Sequence, residues 1–175
     1  MMFMIIRMSK LSALSILFVF SITACSQPGE AQKGGIPAWQ APPSKNFTAA
    51  DIAKLKWIEG TWKGMDGDKP FYERYRIEGT TMIVEGLKED GSPDGEPSRF
   101  ELKNGEFGKG EGDKRSAASE ITAEHIQFVP AAPGKGNSFR FHRQPDGTWH
   151  ALLEWIDKEG KPKQKIYKME RWHPK

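Results

Sequence analysis

Glu73 is the polar residue with the most chemical leverage in this sequence. It stands in Phe71-Tyr72-Glu73-Arg74-Tyr75, where strand alternation sets Phe71, Glu73 and Tyr75 on one face. A carboxylate among aromatic rings is costly unless it is paired or keeps its proton. Arg143 closes Phe139-Arg140-Phe141-His142-Arg143 and alternates with two phenylalanines, which offers a cation to the same interior. Arg143 could pair with Glu73 or with the anionic head of a ligand, or both residues could lie at a solvated rim. His142 and His150 could face each other across a hairpin, with Glu154 near them in sequence. That is short of the three or four ligands a zinc site takes, so surface histidines are expected and no metal. No Gly-x-Ser-x-Gly, phosphate-cradling loop or domain thiol appears, so no catalytic residue is assigned and a binding role is favoured over an enzyme.

These side chains need elements to hold them. Thr48-Ala49-Ala50-Asp51 has the form of a helix start, and Ile52, Leu55 and Ile58 follow at helical spacing, predicting a short helix over about 49–57 that stops near Gly60. Beyond it, alternating runs are broken by Gly, Asp and Pro: 60–66, 70–78, 80–88, 98–103, 105–111, 115–122, 125–130, 138–144, 148–156 and 163–172. So many short strands at this spacing predict an all-β domain, a sandwich or an up-and-down antiparallel barrel. Glu78-Gly79 turns the second run into the third, bringing Met82 and Val84 to the face of Glu73. Pro145-Asp146-Gly147, read as a three-residue turn with left-handed Gly147, sets Phe139, Phe141 and Arg143 opposite Leu153, Ala151 and Trp149, with Trp155 beyond. A two-residue turn would mix apolar and charged side chains on both faces, so burial selects the former register.

The N-terminus carries an address. Arg7 and Lys10 precede an uncharged run from Leu11 to Ile22, too short for a spanning helix but suited to an export signal. Ile22-Thr23-Ala24-Cys25 resembles the lipobox of bacterial lipoproteins. The resemblance implies cleavage after residue 24 and acylation of Cys25, the sole cysteine, by which the chain would be held in a lipid bilayer. An ordinary signal peptide cleaved near Ala24 is the alternative. Ser26, in place of an aspartate, is similar to lipoproteins on the periplasmic face of the outer membrane, if the host is diderm. Residues 26–46 hold four prolines and three glycines and read as an exposed tether, with Trp39 the odd residue in it. The expected organisation is a signal over 1–24, a lipidated tether over 25–46 and one domain over 47–175. Without Arg7 and Lys10, the 26 basic residues fall to 24 against 23 acidic. A balance so near neutral gives no reason to expect nucleic acid as partner.

Gly60-Thr61-Trp62, opening the first strand after a short helix, resembles the Gly-x-Trp start of lipocalins and related small barrels of the calycin type. In those barrels an arginine of the last strand lies across the tryptophan; Arg171 has the matching place, with Tyr167 and Met169 on its face. Together with Tyr72-Glu73-Arg74-Tyr75, Phe139 to Arg143 and Met169-Glu170-Arg171, the stretch from Leu55 to Trp172 is similar to an uncharacterised lipocalin-like domain of exported bacterial proteins. The resemblance implies a small antiparallel barrel; its aromatic interior would bind a small apolar or amphipathic molecule, and no cofactor is expected. Phe71, Tyr75, Met82, Phe139, Phe141, Trp149 and Trp155 would line it, with Glu73 and Arg143 as polar contacts. A packed barrel that docks a protein through Arg74, Arg76 and Arg140, and an enzyme on a small envelope metabolite, are the competing expectations.

Overall fold

A computed structural model describes residues 43–44, 46–132 and 136–174. The export signal, Cys25, Trp39 and most of the expected tether lie outside the described residues. The described part of that tether already docks on the domain. The Ser44 N–H donates to the Ala118 carbonyl and the Phe47 N–H to that of Gly105, each at 2.9 Å.

The predicted helix forms in two pieces. The backbone N–H and hydroxyl of Thr48 each donate to Asp51 Oδ2 at 2.9 Å, which anchors the first turn of α1 (Ala49–Ala53). The chain then tightens into a 3₁₀ turn over Lys54–Ile58, a common way for a short helix to end. Ile52, Leu55 and Ile58 are wholly buried, so the amphipathic stripe plugs one end of the barrel that the strands build. At Gly60 φ is +119°, which lets the chain turn from plug to strand.

Ten strands close into that up-and-down antiparallel barrel: β1 (Gly60–Asp66), β2 (Lys69–Glu78), β3 (Thr81–Leu87), β4 (Ser98–Lys103), β5 (Glu106–Lys109), β6 (Ser116–Ile121), β7 (His125–Pro130), β8 (Ser138–Arg143), β9 (Trp149–Ile156) and β10 (Pro162–Arg171). Each strand pairs with its sequence neighbours, and β1 meets β10 through Trp62 opposite Arg171. Both hairpin registers read from the sequence are present. Tyr75 faces Val84 and Ile77 faces Met82; Phe139, Phe141 and Arg143 face Leu153, Ala151 and Trp149. Gly147 has φ +81°, as the three-residue turn requires. The run expected over 105–111 is shorter as β5, because Gly110 at φ +79° turns the chain away.

The seam between β5 and β6 is narrow. Gly108 pairs with Ala117 and Lys109 with Ser116, and Ser44 and Phe47 bond to the two sides of the gap beyond. Odd-numbered strands start at the plugged end and even-numbered strands start at the other. At the plug Trp149 packs edge-on to Trp62 and Trp57, with centroids 5.9 and 6.4 Å apart. Arg171 lies over the Trp62 ring at 3.8 Å and donates to the Glu59 carbonyl, joining the last strand to the first at that end. Outside the barrel Tyr72 stacks on Trp172 at 4.2 Å.

Candidate functional site

Ten strands enclose a wider interior than eight, and the side chains fill it unevenly. On the β1, β2 and β10 side Phe71 leans over Gly64 to meet Tyr167 edge-on at 5.4 Å. A Cβ at Gly64 would fall 2.2 Å from the Phe71 ring and 2.7 Å from the Met169 sulfur, so the glycine makes room for that packing. On the opposite side the packing stops short. A cavity of about 750 Å³ opens at the end away from the plug, rimmed by the loops after β3 and β5. Tyr75, Val84, Phe100, Phe139, Phe141 and Leu153 form its apolar wall. The rings are staggered rather than stacked flat: Phe139 lies 5.5 Å from Phe141, which meets Tyr75 edge-on at 6.0 Å.

Two ionisable side chains stand inside this wall, Glu73 on β2 and Lys109 on β5. The Tyr75 hydroxyl donates to Glu73 Oε2 at 2.7 Å. Burial in the interior pushes the Glu73 carboxyl above its ordinary range, opposed by that hydrogen bond and by the charge of Lys109. The Tyr75 hydroxyl is held well above its ordinary value, by burial first and then by Glu73. Lys109 Nζ donates to Ser98 Oγ at 3.1 Å and sits 5.0 Å from the centre of the Phe100 ring. Burial lowers its ammonium below the usual lysine range, and the Glu73 charge pulls the other way. Among the described residues, neither group lies within 4.0 Å of an opposite charge.

Of the residues expected to line the interior, Glu73, Tyr75, Phe139 and Phe141 come together here. Met82 and Trp149 are fully buried; Trp149 belongs to the plugged end, where it packs against Trp57 and Trp62. Phe71 is taken up by Tyr167. Trp155 packs half-buried against the core and is not part of the cavity wall. Arg143 requires a larger correction. It lies opposite Trp149, at the plugged end, and is exposed. It therefore neither reaches Glu73 nor lines the cavity. The cation in that role is Lys109, which sits in a stretch whose glycines suggest only a flexible hairpin. The signal was present: in Glu106-Phe107-Gly108-Lys109 the lysine shares a face with Phe107, which is fully buried.

His142 does face His150, and on its other side it faces His125. His125 Nε2 lies 2.8 Å from Glu120 Oε2. Among the described residues no group of three or more His, Cys, Asp and Glu side chains is arranged to hold a metal ion. No protein-family model matches the chain, and no curated protein matches it.

Proposed function

We propose that the barrel is a container for a small amphipathic molecule, carried on the membrane by an acylated Cys25. One observation supports this most: a cavity of about 750 Å³, walled by aromatic rings, holds two ionisable groups that lack a close opposite charge among the described residues. Pockets that enclose a small organic ligand run to about 300–1,000 Å³, with a mostly apolar wall and a few placed polar groups. A barrel built only to be stable would fill that space, because packed interiors leave few voids larger than a water.

The neutral fluorophore N-phenyl-1-naphthylamine tests the container. It should bind the purified domain at one saturable site. Val84→Trp should weaken binding at least about tenfold in a variant that still unfolds cooperatively, since Val84 lines the cavity and is only partly buried against the core. Failure of the probe to bind the wild-type domain, or binding unaffected by the tryptophan, would refute the container. The anchor has its own test: intact mass of protein recovered from membranes should show cleavage before Cys25 and added acyl chains, and Cys25→Ala should leave the protein soluble. An unmodified mature chain would refute the anchor alone.

A further inference from the structure

We infer that the molecule held by this barrel is an organic anion, with its charged head seated on Lys109 and its apolar body against Phe100, Phe139 and Phe141. This deepens the container reading and rests on it.

The argument starts from how the fold treats its inward-facing lysines. Lys165, on β10, is ion-paired to Asp66 and lies 4.8 Å over the Tyr167 ring. Its ammonium is accordingly held above the ordinary lysine range, first by the bond to Asp66. Lys109 has the same aromatic support, Phe100 at 5.0 Å, but its hydrogen bond goes to a neutral hydroxyl. No carboxylate lies within 4.0 Å of it among the described residues. A desolvated ammonium hydrogen-bonded to one neutral hydroxyl keeps unused donors, and among the described residues the only charge opposing its own across the wall is that of Glu73, beyond ion-pair distance. The lysine lines a space large enough for an organic molecule.

The other cations near the mouth do not compete for this role. Arg115 is ion-paired to Glu106 and donates to the Gly110 carbonyl at 3.0 Å. Arg99 and Lys114 are exposed at the rim, where water and salt screen them. Glu73 is the interior carboxyl on the wall. It already accepts from Tyr75 at 2.7 Å and stands more than 4.0 Å from the lysine. A carboxylate, sulfonate or phosphate head supplies the acceptor oxygens Lys109 lacks, and the aromatic wall then receives the rest.

A matched probe pair reads this directly. 1-Anilinonaphthalene-8-sulfonate and N-phenyl-1-naphthylamine share an aromatic body and differ in the sulfonate. On the wild-type domain the anion should be favoured over the neutral probe. Lys109→Met should reduce that preference about tenfold, the size of one charge-assisted hydrogen bond, while neutral-probe affinity stays within about twofold. Lys109→Arg should keep the preference, and it serves as the control if the methionine variant does not fold. An unchanged preference in Lys109→Met, or a loss of both probes together in a folded variant, overturns the anion assignment and leaves the container standing. Failure of both probes on the wild-type domain removes the container and the assignment with it.

Discussion

Replacing Gly60 with alanine should strike the barrel at its closure, by two routes that can be measured apart. The first is local: φ at Gly60 is +119°, and holding a side-chain-bearing residue in such a conformation costs about 2 kcal/mol. The second is tertiary. A Cβ at this position would lie 1.8 Å from Arg171 Nη1 and 3.1 Å from its Cζ, so the guanidinium must leave. In leaving it gives up its place 3.8 Å over the Trp62 ring, about 0.5–1 kcal/mol for an exposed cation–π contact. It also gives up the hydrogen bond to the Glu59 carbonyl, about 1.5 kcal/mol for a charged donor. Gly60→Ala should therefore destabilise by roughly 4 kcal/mol, a fall in melting temperature of about 10–20 °C for a domain of this size. In an Arg171→Ala background the same substitution should cost only its backbone share, about 2 kcal/mol. Urea unfolding of the four proteins gives the coupling between the sites. Equal losses in both backgrounds, to within about 0.5 kcal/mol, would refute the claim that Arg171 latches the plug to the first strand.

Three further outcomes rest on the same packing. Burial raises the Glu73 carboxyl above its ordinary 4.5 in the folded barrel, whereas the unfolded chain keeps that value. Below it both states hold the proton; as pH rises through the folded value, the interior must accept a charge and stability falls. Glu73→Gln lacks this titration, so it should match the wild type near pH ~4 and exceed it near pH ~8; parity at both, by urea unfolding, would contradict the raised carboxyl. Phe128 is fully buried and packs on Phe139 and Phe100 at 4.8 and 4.7 Å, so Phe128→Ala should lose about 3–5 kcal/mol by the same assay. A Cβ at Gly108 would sit 2.3 Å from the Ser116 carbonyl oxygen. Gly108→Ala should force β5 and β6 apart, costing about 1–3 kcal/mol and speeding amide exchange in those two strands before any others.

Turn chemistry and alternation made the architecture legible. Gly79 and Gly147, at φ +60° and +81°, fix their hairpins locally, and once a register is set every second side chain is assigned to the interior. The Thr48–Asp51 pair marks the helix by its own hydrogen bonds. What stayed hidden was the distribution of empty space, because pairing says which residues face inward but not how far each reaches. Phe71 and Phe139 share the same alternation, yet one is consumed by Tyr167 over Gly64 and the other borders a void. Arg143 and Trp149 stand apart from the cavity for a different reason. In an up-and-down barrel strand direction alternates, so the turn from β8 into β9 must lie at the same end as the helix that precedes β1. Counting strands places both residues at the plug, and the hairpin alone does not.

The narrow seam has a mechanical consequence. β5 and β6 are joined through Gly108–Ala117 and Lys109–Ser116, and the incoming chain is fastened to Gly105 on one flank and Ala118 on the other. A pull arriving from the N-terminal side is thus delivered across a narrow join in the wall, as a load that pries its two flanks apart. Lys109 stands in that join, so such a load meets the barrel wall at the lysine that lines the cavity.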